Sequence, residues 1–294
     1  MRKRTVTTAL GAGLIALLGL VGCASGTPGQ EGGEVSEAPV ATDVALEGSP
    51  TYDRMKAADK IVIGVKEDQP GLGYLDAVSG KRTGFDIDIA RWMAAELGFG
   101  EDKIEFKAIP SANRETAIVN GDIDLYVGTY SITDKRKAQI DFAGPYFLTG
   151  QGLLVKSDST ITGVDDLNES TNVCSATGST PIQNIRDNYP GVPVTEFDTY
   201  SQCVEALLNG QVQAVTTDQA ILLGYAAQDP DNLKVVGEPF SEEKYGIGLP
   251  KGDDVLRNYL NDALENGNAK WQEIYDANLG STGVKVEQPA VDRY

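Results

Sequence analysis

A carboxylate needs hydrogen-bond donors, and one stretch of the chain collects them: Gly128-Thr129-Tyr130-Ser131-Ile132-Thr133-Asp134-Lys135-Arg136. Hydroxyls and main-chain amides can donate there, and Arg136 adds a planar fork that matches a carboxylate with two parallel bonds. The apolar run Ile123 to Val127 reads as a buried strand, and Ser131, Thr133 and Asp134 are all good helix N-caps. A strand that ends in donors beside a helix start suits an anion. The same residues also suit a surface turn with a solvated arginine, so the remainder of the chain has to decide.

A second donor set follows the strand Val173 to Ala176. In Thr177-Gly178-Ser179-Thr180-Pro181, Pro181 suits the first helical position, so Ser179 or Thr180 caps a helix through about Asn188. Asp218, in Thr217-Asp218-Gln219 after the strand Val212 to Thr216, is an acceptor suited to an ammonium group. A carboxylate clamp and an ammonium acceptor together read as an α-amino acid site. Lys66 and Arg114 are two further cations at the ends of early elements, able to meet an acidic side chain. Asp68 is close enough in sequence to neutralise Lys66.

The elements that must position these residues alternate between strand and helix. Ile61 to Val65 is a β-branched strand, and Gly84 to Ala90 opens a helix with Ile89, Met93 and Leu97 on one apolar face. Lys103 to Ala108 is a strand and Ser111 to Asn120 a helix stopped by Asn120-Gly121. Asp141 to Tyr146 reads as a break in the pattern, before the strand Gly152 to Val155. A helix from about Ser201 stops at Asn209-Gly210, Lys244 to Leu249 is a strand, and Asp254 to about Leu279 is helical. The phrase helix, Asn-Gly, strand, polar strand end occurs twice. Thr129 lies eight residues past Gly121 and Asp218 eight past Gly210. Two α/β units with matching strand ends predict two similar lobes, whose ligand sits outside the carboxyl ends of the strands in a common cleft.

The composition narrows the function. With 294 residues the chain can form one large domain or two lobes, and its net charge of −18 argues against nucleic acid. It has no histidine, which excludes Ser-His-Asp and Cys-His catalysis and removes the usual zinc ligand. No cofactor and no metal are expected. Arg2, Lys3 and Arg4 precede an apolar run, Ala9 to Val21, that ends Leu20-Val21-Gly22-Cys23. This reads as a bacterial lipoprotein signal, residues 1–22, cleaved before a lipid-bearing Cys23. Outside the reducing cytoplasm a disulfide is the default for the remaining pair, Cys174 and Cys203. Residues 24 to about 50 are rich in Gly, Ser, Pro, Glu and Ala and predict a flexible acidic tether.

Four motifs carry a resemblance. Gly84-Phe-Asp-Ile-Asp-Ile-Ala90, Ser131-Ile-Thr-Asp-Lys-Arg136, Asp141-Phe-Ala-Gly-Pro-Tyr146 and Tyr245-Gly-Ile-Gly-Leu-Pro250 resemble solute-binding protein family 3, the polar amino acid receptors of ABC importers. Ser175-Ala-Thr-Gly-Ser-Thr-Pro181, Tyr200-Ser-Gln-Cys-Val-Glu-Ala206 and Thr216-Thr-Asp-Gln-Ala220 resemble its actinobacterial glutamate-binding lipoproteins. The resemblance covers roughly residues 57–280. It implies an α/β periplasmic-binding-protein-like fold, two lobes joined by a two-crossing hinge with the ligand cleft between them. The expected division is residues 57–150 plus 240–285 for lobe 1, 151–239 for lobe 2, 23–56 for the lipidated cysteine and tether, and 286–294 for a tail.

By the same resemblance, Thr129, Ser131, Arg136, Gly178 and Ser179 match carboxylate binders, with Thr180 an adjacent candidate, and Asp218 matches the ammonium acceptor. Ser111 and Arg114 match side-chain binders of acidic amino acid members, while Lys66 falls where such members carry arginine. Cys174 and Cys203 resemble the disulfide of the glutamate-binding subgroup. The implied protein is a lipid-anchored extracellular monomer that binds glutamate, with aspartate, glutamine or asparagine as competitors, and docks on a permease. The alternatives are an enzyme on the same fold, a dehydratase or lytic glycosidase-type protein using Glu67 or Asp68, and a sensory receptor ectodomain.

Overall fold

The structure is a computed structural model that describes residues 35–282 and 286–294. The expected signal segment and Cys23 lie outside the described residues. In chain order, helix α1 (Pro50–Ala58) leads to β1 (Ile61–Val65), and the short strands β2 (Asp68–Gln69), β3 (Gly73–Leu75) and β4 (Arg82–Thr83) form a separate small sheet. Then come α2 (Phe85–Glu96), β5 (Ile104–Ala108), α3 (Arg114–Val119), β6 (Leu125–Tyr126), α4 (Asp134–Lys137), β7 (Ile140–Thr149) and β8 (Gln151–Lys156). The second half continues β9 (Val173–Ala176), α5 (Thr180–Asn188), β10 (Val194–Phe197), α6 (Tyr200–Leu208), β11 (Ala214–Asp218) and α7 (Gln219–Gln228). Last are β12 (Leu233–Val236), β13 (Glu243–Pro250), α8 (Asp254–Asn266) and α9 (Asn268–Asn278).

Two five-stranded sheets share one plan. Their orders are β5-β1-β6-β13-β7 and β10-β9-β11-β8-β12. In the first, β1 pairs parallel with β5 and β6, and β13 joins antiparallel to β6 and β7. In the second, β9 pairs parallel with β10 and β11, and β8 joins antiparallel to β11 and β12. The repeated phrase in the sequence is thus α3–β6 in one sheet and α6–β11 in the other, equivalent positions in two α/β lobes. The chain crosses between the lobes at Gly150 and again between Val236 and Glu243. The crossings are tied together, since the Gln151 amide donates to Ser241 Oγ at 3.1 Å and the Phe240 amide to the Gln151 carbonyl at 2.9 Å.

Several expectations need correction. Residues 35–56 are not a free tether. Val35, Ala38 and Val44 pack against the main core, Leu46 is buried, and Ser49 caps α1. Ser49 Oγ donates to Asp253 Oδ2 at 2.8 Å, fastening this segment to the start of α8. A low-complexity composition concealed four apolar residues, Val35, Ala38, Val44 and Leu46, spaced so that they pack on the core. Asp141 to Tyr146 does not break the pattern. It runs within the ten-residue β7, where the register with β13 shifts between Tyr245 and Ile247, an irregularity that accommodates a proline in a sheet. The last helical run is two helices, divided at Gly267, where a Cβ would sit 2.0 Å from the Trp92 ring. The last residues also pack: Val286 and Val291 lie on the core, and the Asp292 amide donates to the Gly144 carbonyl at 2.9 Å.

Lobe 2 carries its own brace. Cys174 on β9 and Cys203 on α6 form a disulfide with Cα atoms 5.5 Å apart. It closes a loop with a sequence separation of 29. Replacing both cysteines by alanine should therefore cost about 3–4 kcal/mol of stability, by the loss of a cross-link from the unfolded chain. A urea titration of parent and double variant, under conditions that keep the parent disulfide oxidised, measures the difference.

Candidate functional site

Three cations converge at the ends of lobe-1 elements. Lys66 directly follows β1, Arg114 opens α3, and Arg136 sits in α4, which Thr133 caps by accepting the Arg136 amide at 3.2 Å. All three are buried. Lys66 Nζ donates to Ser111 Oγ at 2.7 Å, so Ser111 holds the lysine. Arg114 donates to the carbonyls of Ser111 at 3.1 Å and Thr129 at 3.4 Å. Arg136 donates to the Ser131 carbonyl at 2.7 Å and pairs with Glu115 at 3.0 Å. Both guanidinium groups lie over the Tyr130 ring, at 4.3 Å and 4.9 Å from its centroid, so one aromatic ring supports both charges. Burial, with the Arg114 charge beside it, lowers Lys66 to a pKa of about 7.

The opposite wall belongs to lobe 2. Gly178, in the turn between β9 and α5, presents its carbonyl to both arginines, at 3.1 Å from Arg136 and 3.5 Å from Arg114. This turn passes against Ala112, where a Cβ on residue 178 would meet the Ala112 Cα at 2.7 Å. Its φ of +77° also favours glycine. Thr180 Oγ1 lies 3.3 Å from Ser131 Oγ and donates to Glu243 at 2.9 Å. Asp218 ends β11 in the N-cap position of α7, yet its side chain does not cap the helix. Instead Oδ2 accepts the Tyr245 hydroxyl at 2.6 Å, and Oδ1 has no hydrogen-bond partner among the described residues. Burial raises the Asp218 pKa to about 8, and Glu243 adds to the rise. The Tyr245 hydrogen bond and the Arg114 and Arg136 charges act against it. Arg114 and Arg136 are thus near enough to Asp218 for their charges to act on its carboxyl group.

Two expected binders spend their donors internally. The Thr129 amide donates to Asp86 at 3.0 Å and its hydroxyl to Gln69 Oε1 at 3.1 Å, while φ is +46°, a strained value for a β-branched residue. Ser179 caps α5, lies 3.2 Å from Ser175 Oγ, and gives its amide to the Ala176 carbonyl. The two acids offered for an enzyme are likewise engaged elsewhere. Glu67 pairs with Arg82 at 3.2 Å, and Asp68 accepts the Ser201 amide at 3.1 Å.

Sequence reasoning missed Asp86 and Gln69. Asp86 reads as a first-turn acid favoured by the helix dipole. It is fully buried, accepts the Tyr146 hydroxyl at 2.8 Å, and is raised by burial to a pKa of about 7. Gln69 is equally buried, and its Nε2 has no hydrogen-bond partner among the described residues. No periodicity marks either. The signal available was only a polar residue at a strand end and one of two acids, Asp86 and Asp88, in the first turn of a largely apolar helix.

A model of the bacterial extracellular solute-binding proteins, family 3, matches residues 61–281. The chain belongs to this family. Among similar family members is the glutamate-binding protein of Corynebacterium glutamicum, 43% identical over 238 residues, 77% of this chain and 80% of that protein. The glutamine-binding protein of Geobacillus stearothermophilus is 43% identical over 258 residues, covering 85% and 95%. Solved structures agree on the fold. An ancestral arginine-binding protein bound to glutamine superposes with a TM-score of 0.70 at 36% identity, covering 75% of this chain and 98% of that one. The family 3 chain is thus an extracellular binding component, and its similar relatives are binding proteins, not enzymes.

The buried groups impose a pH dependence. A cation paired with Asp218 stabilises its ionised form, so binding weakens as pH falls below about 8. An anion paired with Lys66 stabilises its charged form, so binding weakens as pH rises above about 7. For a ligand carrying both charges the two slopes cancel in between, and affinity has a broad maximum between about 7 and about 8. Calorimetric titrations across this range should show Asp218→Asn losing the acid limb and Lys66→Met the alkaline limb.

Proposed function

We propose that this protein is the lipid-anchored receptor of an ABC amino acid importer, and that its ligand is L-glutamate. The observation that carries the reading is the charge arrangement. Of three buried cations, Lys66, Arg114 and Arg136, only Arg136 has an acidic ion-pair partner among the described residues, Glu115, and the Arg114 and Arg136 charges act on a buried Asp218 with an unpartnered oxygen. In this reading the α-carboxylate lies on Arg136, with Ser131, Thr180 and the main chain around Gly178 and Ser179 as neighbours. Asp218 takes the α-ammonium. Lys66, Arg114 and Ser111 meet the side-chain carboxylate, and Thr129 positions Arg114 through its carbonyl. Ligand joins the two lobes and stabilises the closed form, which a permease then recognises.

Glutamine is the second reading, supported by Lys66, which burial holds near neutrality, and by the glutamine-binding relatives at 43% and 41% identity. A neutral lysine amine can accept from a side-chain amide, whereas the charged form donates a stronger, charge-assisted bond to a carboxylate. Calorimetry of the protein against glutamate, glutamine, aspartate and asparagine separates the readings. Glutamate is expected to bind most tightly, and Lys66→Met to shift preference towards glutamine by about tenfold, or roughly 1.4 kcal/mol. Arg136→Ala should cost about 2–5 kcal/mol of binding, because a desolvated carboxylate loses its partner. Absence of heat with all four amino acids defeats the ligand reading, and near-normal affinity in Arg136→Ala removes that residue from the site.

The anchor is proposed from Cys23 and the segment before it. Two lobes on a lipid chain would work as a monomer beside the permease. In a bacterial host that processes lipoproteins, Cys23→Ala should move the protein from the membrane fraction to the soluble fraction without changing its affinity for glutamate.

A further inference from the structure

A second contact joins the lobes beside the buried charges, where Asp68 lies close enough to Lys66 for its charge to raise the lysine's pKa. It starts in the small β2-β3-β4 sheet of lobe 1, whose first strand meets α6 and α7 of lobe 2. Asp68 Oδ2 accepts the Ser201 amide at 3.1 Å. Ser201 lies in the first turn of α6, where amides lack helical partners and the dipole favours an anion. The helix cap does not use this amide: Thr199 accepts the Gln202 amide in a capping box. Tyr225, buried on α7, donates its hydroxyl to the Asp68 carbonyl, with Oδ2 at 3.2 Å.

The residue beside Tyr225 explains how the lobes come this close. Gly224 stands inside α7, where glycine weakens a helix. A Cβ at this position would lie 2.3 Å from the Pro70 carbonyl oxygen, which is main chain and cannot rotate aside. Only a bare α-carbon admits Pro70 of lobe 1 against this face of lobe 2. A steric allowance and a polar clasp therefore occupy one spot, both across the lobes.

We propose that Asp68 and Pro70, with Ser201, Gly224 and Tyr225, form a latch that stabilises the closed form independently of ligand. Asp68 is then a positioning residue for closure. Its charge also acts on Lys66, so Gly224→Ala, which leaves that charge in place, is the variant that isolates the latch, and the latch rests on the proposed function only in that amino acid release is the motion it slows. Because it acts on the closed form, its loss raises the opening rate and leaves capture nearly unchanged.

The test uses the full chain with Asp68→Ala and, separately, Gly224→Ala. Each variant should release L-glutamate about tenfold faster in stopped flow, with association within about twofold of the parent. Each should also speed hydrogen exchange at the Ser201 amide, in ligand-free and in glutamate-saturated protein. Gly224→Ala keeps the Asp68 carboxylate and improves helix propensity, so its ligand-free melting temperature should not fall, which separates lost closure from lost folding. Unchanged release and unchanged Ser201 exchange in both variants overturn the latch. If the parent binds no amino acid, the ligand reading fails, and Ser201 exchange in ligand-free protein decides the latch alone: faster in both variants upholds it, unchanged overturns it.

Discussion

Opposite charges held out of water on two facing walls govern this structure. Lys66, Arg114 and Arg136 are buried on the lobe-1 wall and Asp218 on the lobe-2 wall. Each is costly to desolvate, and the proteins that keep such groups satisfy them or use them. Here satisfaction is partial. The arginines find carbonyls and one carboxylate, whereas Lys66 is driven towards neutrality and Asp218 towards protonation. In the proposed complex a zwitterion between the walls would reverse both shifts at once. That pairing would convert stored desolvation cost into binding free energy, and only with both walls present.

The duplicated sheet plan is what makes two walls available. In each lobe a parallel trio of strands ends towards the same opening, so the residues after β1 and β6 face those after β9 and β11. Residues without side chains then set how near the walls come. Gly178 lets its turn lie on Ala112, and its carbonyl becomes the acceptor shared by Arg114 and Arg136. Closure is thus written into the backbone as well as into the charges.

The lobe-1 wall is also stiffened from behind. Asp86 holds the Thr129 amide in its strained conformation and the Tyr146 hydroxyl at the same time. Gln69 takes the Thr129 hydroxyl, and Tyr130 carries both arginines on its ring. Such support fixes the arginine forks in place before a ligand arrives, which reduces the ordering cost of binding.

Much of this was legible in the residues themselves. Local chemistry marked Arg136, Asp218 and the Ser179 turn, because caps, strand ends and donor clusters depend on neighbours in sequence. The recurrence of helix, Asn-Gly and strand marked two lobes, and the cysteine pair marked the brace between β9 and α6. What sequence could not carry was direction. Thr129 and Ser179 had the right donors, but only the folded chain decided that these turn inwards to Asp86, Gln69 and Ser175. Asp68 reads as a neighbour of Lys66, and its charge does act on that lysine, but only the fold showed that it also reaches α6, 133 residues away. The packing of residues 35–49 on the core was equally a tertiary decision, since it depends on contacts with distant segments such as Asp253. Residue type set which charges and donors the protein owns. The packing of two lobes set which of them face each other, because desolvation and approach across a cleft are properties of surfaces that meet only after folding.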